Sequence, residues 1–223
     1  MNRTRLAFAL LFAIAATASA HAAERDVSKV NGSIHVEDGE RYGSLETVNG
    51  SIQIGDNARV DGAETVNGSI EVGDSTRTGS LETVNGGIRI EERVTTTGGV
   101  ETVNGGIFVG RGGTIGGGIE TVNGAIGLVD TDVSGGIETV NGDVTVGVGS
   151  HVHGGLHYGK QSKSFISFGK PRIPRVIIGP DARVDGPLHF EREVVLYVHA
   201  TAKTGAITGA KAIRFDTPTP PEQ

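Results

Sequence analysis

The tripeptide Val-Asn-Gly occurs seven times, beginning at Val30, Val48, Val66, Val84, Val103, Val122 and Val140, with spacings of 18, 18, 18, 19, 19 and 18 residues. From the second copy onward it is extended to Glu-Thr-Val-Asn-Gly, starting at Glu46, Glu64, Glu82, Glu101, Glu120 and Glu138. Self-similarity at a fixed short period is the signature of a chain whose units stack on one another rather than fold around one centre. A finer period lies inside it: Ile54, Val60, Val66, Val72, Thr78, Val84 and Ile90 stand six residues apart. A second branched row, at Ile34, Ile52, Ile70, Ile88, Ile107, Ile126 and Val144, falls four residues after each motif Val.

Helical repeats would need a 3.6-residue apolar period. These units instead carry β-branched residues, alternation such as Ile52-Gln53-Ile54, and 36 Gly in 223 residues, which predicts short strands with tight corners. With no Trp and only ten Phe and Tyr, an aromatic-centred core is excluded. Collagen is excluded because Gly does not recur at every third position. The expected fold is all-β: a single-stranded, three-sided parallel β-helix of about ten coils, each of 18–19 residues, stacked about 4.8 Å apart into a rod of roughly 48 Å.

Stacking turns each motif position into a column. Asn31, Asn49, Asn67, Asn85, Asn104, Asn123 and Asn141 are expected to form an amide ladder, and Gly50, Gly68, Gly86, Gly105, Gly124 and Gly142 to occupy corners, where glycine permits positive φ and close backbone approach. With the motif Val pointing inward, Thr47 and Asn49 and their equivalents would point outward. A flat Thr row resembles an ice-binding face, but its neighbours here are Asn and Glu, so a rigidifying ladder is the preferred reading.

The first twenty residues read as a secretory leader: basic Asn2 to Arg5, apolar Leu6 to Ala16, and Ala18-Ser19-Ala20 for cleavage. The expected location is therefore periplasmic or secreted. Loss of Arg3 and Arg5 leaves 18 basic against 26 acidic side chains, so nucleic-acid binding is not expected. The apolar run is too short for a membrane span, and the absence of Cys removes disulfides and lipid anchoring through a thiol.

The motif lapses from His151 to Pro174, a segment with no acidic residue that holds Lys160, Lys163, Lys170 and Arg172, with Arg175 just beyond. These five are the candidate binding residues for an anionic envelope polymer or protein partner. The organisation read from the chain is thus a leader over 1–20, a solenoid over 21–216 and a disordered tail over 217–223. Within the solenoid, 28–150 hold the regular repeats, 151–175 an irregular basic insertion and 176–216 resumed coils with a cap. The resumption rests on Ile178 to Gly186, which matches Ile54 to Gly62 at seven of nine positions.

The Val-x-Gly-x-Ile units over 30–144 resemble the adhesin-type solenoid domains of bacterial envelope proteins. The segment Ile178 to Phe215, with its Ile-Gly-x-x-Ala-x-Val-x-Gly run, resembles the bactofilins, which are polymer-forming cytoskeletal proteins. The resemblance implies a non-enzymatic structural or adhesive role, self-association as the alternative, and no cofactor or catalytic residue. Hexad spacing is that of left-handed solenoids, whereas the general crossover preference and the bactofilin resemblance favour right-handed winding.

Other chemistry has weaker support. The six motif Glu would stand about 4.8 Å apart and repel by roughly 1 kcal/mol per pair in water, so a solvated acidic face is expected ahead of a divalent-cation face. His151, His153 and His157 form His-x-His-x-x-x-His, and alternate strand residues share a face as two metal ligands would. With no neighbouring carboxylate in sequence they are read as an exposed polar loop, and no metal site is expected. Gly110 to Gly118 is a repeat corner, not a phosphate loop, since no helix follows. Asp130 and Asp132 lack a basic or nucleophilic partner. A polysaccharide-active enzyme is the least favoured reading.

Overall fold

A computed structural model describes residues 25–160 and 172–221. These fold as a parallel β-solenoid of about ten turns, with 27 strands and, among the described residues, no helix. The regular turns have three strand segments, as in Ile88–Ile90, Thr95–Thr96 and Val100–Asn104, and in the first turns the second and third run together, as in Arg41–Asn49 and Arg59–Asn67. The linking corners are Gly86-Gly87, Glu91 to Val94 and Thr97 to Gly99.

The first segments stack into a ten-stranded sheet running from Ile34–Val36 to Ala212–Phe215, and the other two join in a seventeen-stranded sheet. Register is one-to-one: Glu101 pairs with Glu82 and Glu120, and Asn104 with Asn85 and Asn123. Every coil therefore hands the next the same residue type, and branched side chains pile into a continuous core of fully buried Ile52, Ile70, Ile88, Ile107 and Ile126 with Leu45, Leu81, Val100, Ile119 and Ile137. A slip by one residue would turn every one of these to solvent.

The lapse in the motif after His151 is not a lapse in the winding. His151 and Val152 pair with Asp132 and Val133, and Leu156, His157 and Tyr158 with Ile137, Glu138 and Thr139. The next described strand is Arg175–Ile178, where Val176 and Ile178 stack on Val144 and Val146. Ile178 thereby joins the Ile54 column and Val184 the Val60 side, as the nine-residue match implies. Phe190 is buried against Tyr158, with ring centroids 6.4 Å apart, rather than capping the rod. The leader, Lys163 and Lys170 lie outside the described residues. No helix among the described residues is long and apolar enough to cross a membrane.

Inside and outside are reversed at the motif relative to expectation. Thr47, Thr65, Thr83, Thr102, Thr121 and Thr139 are buried, whereas Val48, Val66 and Val84 are half-exposed and Val30 is exposed. The physical reason is the Asn-Gly corner of the preceding coil. Thr102 Oγ1 donates to Gly86 O at 2.9 Å, and Thr65 and Thr83 reach Gly50 O and Gly68 O at 2.8 Å. The hydroxyls of Thr47, Thr65, Thr83, Thr102 and Thr121 thus each satisfy a carbonyl that the Gly corner takes out of the strand ladder, whereas the buried Thr139 Oγ1 has no partner among the described residues. Burying Val there instead would leave that carbonyl unpaired.

The glycine column is likewise explained by space, not by φ. A Cβ on Gly105 would lie 1.8 Å from Gly86 O, and one on Gly68 2.0 Å from Gly50 O. Of the six expected corner glycines only Gly142 has positive φ. The left-handed corner is elsewhere, at the column Gly39, Asn57, Ser75, Arg93, Gly112, Asp130, Gly149 and Asp181, with φ between 48° and 72°.

Candidate functional site

The outer surface of the third strand row carries two parallel columns. In the first, Asn49 Nδ2 donates to Asn31 Oδ1 at 3.1 Å, and Asn67, Asn85, Asn104, Asn123 and Asn141 each repeat the bond to the preceding coil at 2.9–3.0 Å. The amide ladder expected from the repeat is present over all seven coils. It faces solvent, and it aligns every amide dipole one way along the rod.

The second column is Glu46, Glu64, Glu82, Glu101, Glu120 and Glu138, paired in register. Among the described residues no Lys or Arg nitrogen comes within salt-bridge distance of any of them; Glu138 alone has a partner, His157, at 3.8 Å. Burial, and then the carboxylates of Glu82 and Glu46, raise the Glu64 carboxyl above the ordinary range. Glu101 is raised by burial and then by Glu120 and Glu82, and Glu120 by burial and then by Glu138. The column is thus a line of half-buried carboxylates in which Glu64, Glu101 and Glu120 hold protons more tightly than free Glu.

At its C-terminal end this column changes chemistry. Glu138 is followed in register by His157, His189 and Thr208. The His157 and His189 rings stack at 5.6 Å with 17° between planes. Glu191 Oε1 lies 3.5 Å from His157 Nε2 and 3.8 Å from His189 Nε2.

A second cluster sits on the adjoining strand row. His151 and His153 lie with ring centroids 3.9 Å apart between Asp132 and Asp185. His151 Nε2 is 2.8 Å from Asp185 Oδ2, and His153 Nε2 is 3.2 Å from Asp132 Oδ2. Arg183 also donates to Asp185, and the hydrogen bonds from His151 and Arg183 hold that carboxyl below its usual range. Both groups, Asp132 with His151 and His153, and His157 with His189 and Glu191, place potential metal-ligand atoms within 4.8 Å of one another. The three histidines of the motif therefore do not share one site, and the carboxylates missing from their sequence neighbourhood arrive from the coils above and below.

His189, Glu191 and Asp185 escaped the sequence reading because the chain excursion after Tyr158 separates His157 from His189 by 32 residues rather than 18 or 19. The detectable signal was Leu-His-Tyr at 156–158 against Leu-His-Phe at 188–190, which are paired strands.

Of the five basic candidates, Arg172 and Arg175 have partners among the described residues. Arg172 Nη2 is 2.6 Å from Asp143 Oδ2, and the Arg175 backbone N–H donates to Asp143 Oδ1 at 2.9 Å. The Arg175 guanidinium lies over the Tyr197 ring at 5.2 Å. Lys160 is exposed. On the ten-stranded sheet a groove of about 470 Å³ runs past Glu71, Arg89, Phe108 and Gly127, with Arg89 over the Phe108 ring at 5.1 Å.

Comparison of the chain with family models, with curated proteins and with solved structures returned no match.

Proposed function

We propose that the protein is a non-enzymatic rod of the bacterial envelope whose Glu and Asn columns form one repeating surface for multivalent binding. The observation that supports this best is the unbroken register of unneutralised Glu46 to Glu138 beside the Asn ladder. Each coil offers the same half-buried carboxylate and the same amide, so a ligand with matching periodicity gains affinity through effective concentration rather than through a deep pocket. The acidic column favours polyhydroxylated or cationic groups. Short corners and the rigid stack suit presentation rather than turnover, and the leader-like first twenty residues suit export. Pairing of the Arg172 guanidinium with Asp143 weighs against Arg172 as part of an anion clamp.

The test is binding of the leader-free chain to fractionated envelope polymers, compared with variants in which one, two or four of Glu64, Glu82, Glu101 and Glu120 are changed to Gln. Retention should fall in steps with the number of coils changed. Equal retention by all variants, or no retention of the wild type, defeats the reading.

A second reading, coil-on-coil self-assembly of the bactofilin kind, is favoured by the end strands. Among the described residues, Arg25–Asn31 and Ala212–Phe215 each pair on one side only, and open edges template further strands. Concentration-dependent filaments in sedimentation and microscopy would favour it over the first.

A further inference from the structure

We propose that His157, His189 and Glu191 form a binding site for a divalent transition-metal ion of the imidazole-preferring class, with Zn²⁺ as the reference ion. Four observations converge on this cluster.

The first is geometric. Tetrahedral zinc with ligands at about 2.0–2.1 Å sets neighbouring ligand atoms roughly 3.3–3.4 Å apart. The two Nε2 atoms lie 3.5 and 3.8 Å from Glu191 Oε1, so these two edges need shorten by only a few tenths of an ångström, and the ligand atoms of the two imidazoles lie within 4.8 Å of one another. Those separations are too long for good hydrogen bonds, and the lone pairs are not spent on one another.

The second is the tautomer. His189 Nδ1 lies 2.8 Å from Thr208 Oγ1, and the Thr208 hydroxyl donates to Leu188 O at 3.4 Å. In the tautomer in which Thr208, its proton so used, accepts from Nδ1–H, the lone pair of His189 lies on Nε2, facing Glu191. His157 Nδ1 faces Glu138 Oε2 at 3.8 Å, which places its other nitrogen toward the same point. Outer partners of this kind orient imidazoles in metal centres.

The third is charge. The cluster ends a column of six carboxylates, and among the described residues no Lys or Arg nitrogen lies within 4.0 Å of Glu138 or Glu191. A dication there offsets repulsion already present. The neighbouring cluster differs: His151 and His153 are already hydrogen-bonded to Asp185 and Asp132, and Arg183 supplies a positive charge. It is satisfied without a metal.

The fourth is ligand type. Two imidazoles with one carboxylate select zinc, copper or nickel over the all-oxygen sites of calcium and magnesium. The ligands are partly exposed, so a fourth position stays open to water or to a donor group from a partner.

The experiment uses the metal-stripped, leader-free chain. Zn²⁺ binding is followed by calorimetry, and Co²⁺ substitution by visible absorption, above the ordinary imidazole range of about 6.5. One equivalent should bind, with cobalt bands of a four-coordinate centre. His157→Ala and His189→Ala should each weaken binding at least about a hundredfold, and Thr208→Val about tenfold, as expected for an outer partner. His153→Ala should change it less than about twofold, and circular dichroism should show all variants folded. Absence of a saturable equivalent in the wild type overturns the proposal. So does binding that survives in the His157→Ala/His189→Ala double variant or is lost in His153→Ala.

Discussion

The guanidinium of Arg192 closes the asparagine ladder: its Nη1 donates to Asn141 Oδ1 and, at 3.1 Å, to Val140 O. In the interior of the ladder each Oδ1 accepts from the amide of the next coil. The coil after Asn141 has Lys160 at that place, where the chain leaves the stack. Arg192 stands two residues beyond Phe190, as Asn141 stands two beyond Thr139, and Phe190 and Thr139 both pair with Tyr158. One further coil along the same column, it reaches back and supplies the missing donor.

Replacing Arg192 by Met keeps the aliphatic stem but leaves two part-buried acceptors unpaired. The expected loss is about 1–3 kcal/mol in urea unfolding, together with faster amide exchange in 139–142. Arg172→Ala, which removes an exposed pair to Asp143, should cost less than about 1 kcal/mol. Equal effects of the two changes would remove the capping role.

The raised carboxyls of Glu64, Glu101 and Glu120 carry a pH signature of definite sign. Their folded forms hold protons more tightly than the unfolded chain, so the folded state takes up protons between the ordinary carboxylate range and the raised values. The cost of the charged column is complete above the folded values and is relieved as pH falls through them, levelling off below the ordinary range. The triple change to Gln should therefore stabilise the protein at neutral pH, by roughly 1 kcal/mol for each neighbour repulsion removed in water, and added salt should narrow the gap. The difference between wild-type and triple-variant melting profiles should close on acidification. A difference that is flat with pH contradicts the assignment.

The coil length, the stacking register and the Asn ladder were legible because each depends only on which residue recurs at 18 or 19. Ile52 and Ile54 point inward as alternation requires. The facing of the motif was not legible in the same way. Leu45 and Thr47 are inward and Ile52 is inward again, five residues after Thr47, so the Asn-Gly corner shifts the alternation by one. Hydrophobicity alone assigned Val48 to the core, whereas a carbonyl in need of a donor drew in Thr47. The histidine clusters were hidden for another reason: their partners come from neighbouring coils, and the excursion before Arg175 interrupts the spacing that would have aligned them.

That exchange of Val for Thr can be measured. Thr102→Val preserves shape and adds apolar area, yet it removes the hydroxyl that serves Gly86 O in a fully buried place. A loss of about 1–3 kcal/mol is expected, the penalty of an orphaned carbonyl. Thr102→Ser keeps the donor and forgoes a methyl group, worth about 0.8 kcal/mol. If Val proves the more stable of the two, burial outweighs the hydrogen bond and the account of the corner fails.

The two glycine columns make opposite predictions. Gly105 has no positive φ, but its Cα faces Gly86 O so closely that a Cβ would sit 1.8 Å away, against backbone that cannot move without parting the coils. Gly105→Ala should therefore cost 3 kcal/mol or more, at the upper end of about 1–3 kcal/mol for overpacking, and should broaden the thermal transition as the stack separates locally. Gly112 has φ +72°, and a Cβ there would meet Arg93 alone, at ordinary contact distance, its Cγ nearest at 3.4 Å. Its column already accommodates Asn57 and Asp130 at φ 56° and 48°, and Asn is among the residues that enter this region most readily. Gly112→Asn should cost less than about 1 kcal/mol. Urea titration of both variants separates the causes: a larger penalty at Gly112 than at Gly105 would mean that backbone angle, not the distance between coils, governs where this solenoid requires glycine.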